Sequence, residues 1–107
     1  MTGSEEHATV RARLIMSHQP LRLELYTRPD CHLCEDLKML CERLAGEFPV
    51  RLTEVNIETD PELRARYDQE IPVLFIDGRK AVKYRTTEGA LRRLLQRRVL
   101  FRRVFGV

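Results

Sequence analysis

LRLELYTRPDCHLCEDLKMLCERLAG, residues 21–46, is the stretch on which the fold reading turns. In LRLELYT the residues Leu21, Leu23 and Leu25 alternate with Arg22, Glu24 and Tyr26, the period of a strand with one buried face, so a strand is expected over Leu21 to Thr27. Arg28, Pro29 and Asp30 are turn formers. From Cys31 to Ala45 the apolar positions Leu33, Leu37, Leu40, Cys41 and Leu44 recur at spacings of three and four, which predicts a helix, with Gly46 as its C-terminal stop. The junction between this strand and this helix is occupied by a C-x-x-C pair, Cys31 and Cys34.

Working outward, RLTEVNI reads as a second strand through Leu52, Val55 and Ile57. Asp60 followed by Pro61 offers an N-cap and a first-turn proline for a short helix to about Tyr67. Val73 to Ile76 is a short apolar run, and Asp77-Gly78 is a hairpin signal leading into Ala81 to Tyr84, so the third and fourth strands should pair antiparallel. Thr87 can cap a last helix with a stripe of Leu91, Leu94, Leu95 and Val99. The order βαβαββα, with right-handed parallel crossovers, implies an α/β fold: a four-stranded mixed sheet flanked by three helices. Upstream, residues 1–20 show no sustained period and read as a mobile extension closed by Pro20, leaving residues 21–107 as the domain. Met16 is a plausible translation start, which would set residues 1–15 aside.

A chain of 107 residues suits one domain, and 43% hydrophobic with 33% charged residues excludes a disordered or fibrous protein. No run approaches the ~18 apolar residues of a membrane span, and MTGSEEHATV lacks the basic start and apolar core of a secretory signal, so the expected compartment is the cytosol. Three cysteines there do not make a disulfide framework; Cys31 and Cys34 point instead to redox or metal chemistry. The net charge is +3, and from Gly89 to Val107 there are six Arg and no acidic residue. Such an end can bind phosphate backbones or an anionic surface, though a solvated helix face is the commoner meaning.

The pair carries its own chemical argument. Cysteines at i and i+3 on a helix share a face and can close and reopen a disulfide with little rearrangement. Cys31, at the helix start, meets unpaired N–H groups and the positive end of the macrodipole, which makes it the attacking thiol; Cys34, one turn inside, is the resolving one. Lowering a thiol pKa from ~8.5 to ~6.5 corresponds to ~2.7 kcal/mol, more than the ~0.3–1 kcal/mol of a helix dipole. Arg28, His32 and the Cys34 thiol are candidates for the rest. The gain lies chiefly in leaving-group ability, because the larger thiolate fraction is nearly cancelled by lower nucleophilicity. His32 can tune the thiolate or be exposed filler; His7 and His18 fall in the extension. Cys41, on the stripe of Leu37 and Leu44, reads as core. Zinc needs about four ligands and only Cys31, Cys34 and His32 are local, so no metal site is expected.

The runs YTRPDCHLCEDLKMLCERL (26–44) and IPVLFIDGRKAVKYR (71–85), with the helix after them, resemble the glutaredoxin-like branch of the thioredoxin superfamily over about residues 21–100. The resemblance implies a thioredoxin-like fold and a small thiol–disulfide oxidoreductase. It further implies a cis Pro72 lying against the cysteines, an Ile71 backbone that pairs with a thiol substrate, and an Arg28 that contacts a glutathione carboxylate. Two departures qualify it. Leu25 stands where thioredoxins place a buried acid, and KYRTTEG stands where glutaredoxins carry a Gly-Gly pair that helps hold glutathione. The expectation is therefore no bound cofactor, weak use of glutathione as co-substrate, and a reductase or dithiol protein as electron donor. The expected substrate is a disulfide-containing protein or small thiol compound, the expected state a monomer, and neither membrane nor nucleic acid is an expected partner. The rival reading is a non-catalytic thioredoxin-fold module that binds a partner through its basic C-terminal helix.

Overall fold

The computed structural model describes residues 19–105; the expectations for the extension, including Met16, His7 and His18, fall outside the described residues. The chain forms β1 (Leu21–Thr27), α1 (His32–Leu44), β2 (Val50–Asn56), a 3-10 turn (Ile57–Thr59), α2 (Pro61–Tyr67), β3 (Val73–Ile76), β4 (Arg79–Lys83) and α3 (Glu88–Phe105). The strands make one sheet in the order β2-β1-β3-β4. β1 runs parallel to β2, with Leu21 opposite Val50, and antiparallel to β3, with Leu23 opposite Ile76. β3 and β4 form an antiparallel hairpin.

Strand β1 is central because both of its faces have something to bury. Leu21, Leu23 and Leu25 are sealed in a core with Leu37, Cys41 and Leu44 of α1, Leu74 and Ile76 of β3, and Leu91 and Leu95 of α3. Each such leucine contributes about 1.5–3 kcal/mol relative to an exposed one. On the opposite face Tyr26 meets Tyr67 edge-on at 5.0 Å and Phe75 at 5.2 Å. This second, smaller cluster also holds Cys34, Ile57, Ile71 and Val73. Its place at the carboxyl end of β1 puts aromatic packing directly beside the cysteine turn.

Several boundaries differ from the sequence reading. α1 begins at His32, not Cys31, because Cys31 is extended (φ −121°, ψ 108°) and caps the helix. Gly46 is not in the left-handed region; after Leu44 the chain winds on through an αR Ala45 and turn bonds from Glu47 and Phe48 back to the Leu44 carbonyl. β4 starts at Arg79 rather than Ala81, since the two-residue turn at Asp77 (φ 50°) and Gly78 (φ 83°) brings Arg79 directly opposite Ile76. Both positive φ values are those of a type I′ turn, whose twist matches the flanking strands.

Helix α3 is held along its length. Thr87 Oγ1 accepts from the Ala90 amide at 3.1 Å at its start. Arg92 bonds Glu47 at 2.7 Å and Arg43 bonds Glu88 at 2.8 Å, tying α3 to the end of α1. Toward its C-terminus Arg102 reaches Asp77 at 3.0 Å and donates to the Gln19 carbonyl.

Candidate active site

Two segments from distant parts of the sequence make the site: the turn from β1 into α1, and the loop from α2 into β3. After β1, whose last residue Thr27 is buried with its hydroxyl donating to Glu54 at 2.9 Å, the chain turns through Arg28, Pro29 and Asp30. Asp30 has φ 55°, a left-handed conformation that Asp tolerates better than most residues. This reversal sets Cys31 at the N-cap of α1. Its carbonyl accepts the first helical bond from Glu35 N–H at 3.1 Å, and its Sγ accepts from Cys34 N–H at 3.2 Å, the role usually taken by a Ser or Asp oxygen. Cys31 and Cys34 are joined as a disulfide with their Cα atoms 5.2 Å apart. Cys31 is half-buried, whereas Cys34 is only 1% exposed.

The opposing loop supplies Ile71 and Pro72. Ile71, 7% exposed, shares an apolar cluster with both cysteines, and Pro72 is fully buried; the Ile71–Pro72 peptide bond is cis. The Ile71 N–H donates to Tyr67 O at 3.1 Å, and the Pro72 carbonyl accepts from Tyr84 N–H at 2.8 Å. Tyr84 is bound a second time, its hydroxyl donating to Gln69 O at 2.9 Å, while its backbone sits at φ 70°. A bulky side chain at such a φ is held there by its surroundings. Tyr84 lies in KYRTTEG, the segment that departs from the Gly-Gly pattern.

Arg28 and His32 are near the pair but not joined to it. The Arg28 guanidinium donates to Asp68 Oδ1 at 3.0 Å, across the turn that leads to Ile71. His32 is exposed and lines a cleft of about 350 Å³ with Asp30, Cys31 and Glu35. A second cleft, about 240 Å³, lies along α1 between Leu33, Asp36, Leu37 and Leu40 and the Arg85–Thr86 loop. The cleft at Cys31 thus carries two carboxylates, Asp30 and Glu35, beside the His32 ring. Cys41 is buried outright, and burial, aided by Glu42, pushes its thiol up from 9.0 to about 12. Burial, then the Glu24 charge, likewise raises the Tyr26 phenol, which stays neutral beneath the site.

Sequence reasoning missed Asp68, the Tyr26–Tyr67–Phe75 cluster and the Cys34 amide. Of these only the last left a signal, since a cysteine three residues before another at a helix start occupies an N-cap and can take the N3 amide. Among the described residues no three His, Cys, Asp or Glu side chains converge as a metal site requires, and no helix is long and apolar enough to cross a membrane.

A mixed sheet with three helices and a cysteine pair at the head of the first helix defines a thioredoxin-fold dithiol protein. The sequence matches the Glutaredoxin-like domain family (DUF836) over residues 22–96, and the chain belongs to that family. Among solved structures, protein Ne2328 from Nitrosomonas europaea is 26% identical over 72% of this chain and 93% of its own, with a TM-score of 0.62. Protein XcR50 from X. campestris is 29% identical over 69% of this chain and 95% of its own, at a TM-score of 0.59. A thioredoxin from Halobacterium salinarum, 22% identical over 79% of this chain and 80% of its own, shares the fold at 0.55. None of the curated proteins matches the chain. Fold, family and the Cys31–Cys34 pair together give the chain a thiol–disulfide redox role.

Proposed function

We propose that the protein is a small thiol–disulfide oxidoreductase in which Cys31 attacks and Cys34 resolves. The reduced Cys31 thiolate attacks one sulfur of a substrate disulfide; an S–S bond to Cys31 forms and the other substrate sulfur leaves as a thiolate. The deprotonated Cys34 sulfur then attacks Cys31 Sγ, expelling the second substrate thiolate and leaving the Cys31–Cys34 disulfide. Two electrons have passed to the substrate, and a dithiol protein or an NADPH-dependent reductase must return them.

The observation that carries this reading is the Cys34 N–H on Cys31 Sγ at 3.2 Å. A hydrogen bond to a charged group is worth about 1.5–3 kcal/mol, and the helix dipole adds ~0.3–1 kcal/mol. Together they are of the size that a two-unit lowering of a thiol pKa, ~2.7 kcal/mol, would take. Neither Arg28 nor His32 needs to stabilise the thiolate, which suits an Arg28 already bonded to Asp68. The half-buried Cys31 meets the substrate, and the sealed Cys34 acts only after the mixed disulfide has formed. Since the turn uses the Ile71 N–H, the Ile71 carbonyl is the backbone group that receives a substrate amide.

Glutathione is a poor electron donor in this scheme. The exposed Arg28–Asp68 pair is worth only about 0–1 kcal/mol, so Arg28 can be recruited to a carboxylate at little cost. KYRTTEG, however, offers no adjacent glycines through which a carboxylate could approach backbone amides closely. Losing two hydrogen bonds to a charged group costs about 3–6 kcal/mol, roughly 10²–10⁴ in affinity. Asp30, Glu35 and Asp36 oppose an anionic tripeptide as well. A thioredoxin reductase or another dithiol protein is the donor that fits, in a reducing compartment such as the cytosol.

The test follows reduction of a protein disulfide such as insulin, by NADPH consumption with a thioredoxin reductase and with glutathione and glutathione reductase, and by insulin precipitation over the uncatalysed rate with dithiothreitol as chemical donor. Faster insulin reduction with the reductase or dithiothreitol supports the proposal. No catalysis in any arm would leave the fold without the enzyme.

A further inference from the structure

We propose that the end of the sheet farthest from the cysteines is a binding site for a small phosphate-bearing anion. Arg22 at the start of β1, Asp77 and Arg79 of the β3–β4 turn, and Arg98, Phe101 and Arg102 of α3 line a cavity of about 480 Å³. From Arg22 to the end of β1 is about 17 Å of strand, so this cavity and the cysteine turn lie at opposite ends of the sheet.

The bland account is a latch fastening α3 to the hairpin. One guanidinium suffices for that: Arg102 meets Asp77 Oδ1 at 3.0 Å and also holds the Gln19 carbonyl. The other three are left over. Arg98 reaches Asp77 Oδ2 only at 3.5 Å, and its Nε is buried with no hydrogen-bond partner among the described residues. Arg22 stands 4.0 Å from Asp77. Arg79 has no ion-pair or hydrogen-bond partner among the described residues and lines the cavity directly. Each guanidinium carries five donors in a fixed fork, so one carboxylate leaves most of them to water.

Four cations around one carboxylate repel one another, and a latch gains nothing from the surplus. An anion with several oxygens satisfies it. Guanidinium forks match phosphate oxygens bidentately, and a phosphate monoester or diphosphate carries enough negative charge for three of them. Arg98 is also held in place, its guanidinium lying 5.2 Å from the Phe101 ring centroid. That stacking orients the fork before a ligand arrives. The volume falls within the range of small-ligand sites, and its concave shape suits a compact anion better than an extended nucleic-acid backbone.

The experiment titrates the full-length protein with inorganic pyrophosphate and, separately, with ADP at constant ionic strength, following backbone amide NMR shifts. The expected result is saturable 1:1 binding, with shifts confined to the amides near Arg22, Asp77–Arg79 and Arg98–Arg102. Arg79→Ala removes no side-chain ion pair or hydrogen bond among the described residues, so its melting temperature in phosphate-free buffer should stay close to that of the parent while pyrophosphate binding weakens about tenfold. Arg64→Ala, an equal loss of charge on α2, should change binding less than twofold. If only pyrophosphate binds, the site takes the bare diphosphate; if both bind, it admits a phosphate ester, and either result supports the proposal. Non-saturating shifts with both ligands, or equal weakening by Arg64→Ala, would overturn it.

Discussion

Cys31 and Cys41 belong to the two ends of one helix, and comparing those ends shows how position decides the chemistry of a thiol. At the first turn of α1 the backbone N–H groups have no helical partner, solvent reaches the sulfur, and Cys34 N–H is already aimed at Cys31 Sγ. In the third turn every amide is spent in the helix, and Cys41 is packed among Leu21, Leu23 and Leu95 with a thiol pushed up to about 12. In the proposed mechanism an ionised sulfur is needed at the first end, whereas burial penalises one at the other. The residue type is the same; the free amides and the water are not.

The largest expected effect tests the first turn. Cys31→Ser should lower disulfide reduction by about a thousandfold or more, because serine cannot form the mixed disulfide, whereas Cys41→Ala should stay within about twofold of the parent. A Cys41→Ala protein that folds but does not turn over would break the comparison. Next in size is the choice of donor: the rate with glutathione and its reductase should fall at least about a hundredfold below that with a thioredoxin reductase, from the 10²–10⁴ affinity loss argued above. Equal rates would mean that the Arg85–Thr87 loop binds the carboxylate without glycines.

The buried end makes its own prediction, with a definite sign. Cys41 keeps its proton in the folded chain up to about pH 12 but loses it in the unfolded chain near 9.0. The unfolded state therefore binds fewer protons above pH 9, and stability falls as pH rises, by up to about 1.4 kcal/mol per unit, between those two values. Urea unfolding of Cys41→Ala from pH 8 to 10.5 should show a shallower decline, after a loss of around 1 kcal/mol at neutral pH for the trimmed core. Identical slopes in both proteins would show that Cys41 ionises freely. The smallest effect belongs to Asp68→Ala. Removing an exposed pair should move the melting temperature by no more than about 1–2 °C and improve glutathione use less than about threefold.

What the sequence revealed and what it hid divide along physical lines. β1, α1, the Asp77-Gly78 turn and the capped helices α2 and α3 were legible because each depends on local periodicity or a local cap. The thiol pair was legible because its chemistry needs only a helix start. Asp68 was not, since an exposed ion pair between Arg28 and a residue 40 positions away has no pattern in the chain. Nor was the Tyr26–Tyr67–Phe75 cluster, whose members come from three separate elements. Tyr84 was hidden for the opposite reason: its type argues against a left-handed backbone, and the bonds to Pro72 and Gln69 hold it there. Residues Arg79 and Lys80 were missed as strand because their polar side chains mask the hairpin ladder that the turn imposes.

The central claim is that the two cysteines of the first turn have unequal roles, set by exposure and by the amide on Cys31. Mixed-disulfide capture measures this directly. Cys31→Ser and Cys34→Ser proteins, reduced and then exposed to a disulfide-bearing protein substrate, are compared by non-reducing electrophoresis and mass spectrometry. The account predicts a stable adduct on Cys31 in the Cys34→Ser protein and next to none in the Cys31→Ser protein. Comparable trapping by both variants, or an adduct on Cys34 alone, would contradict it.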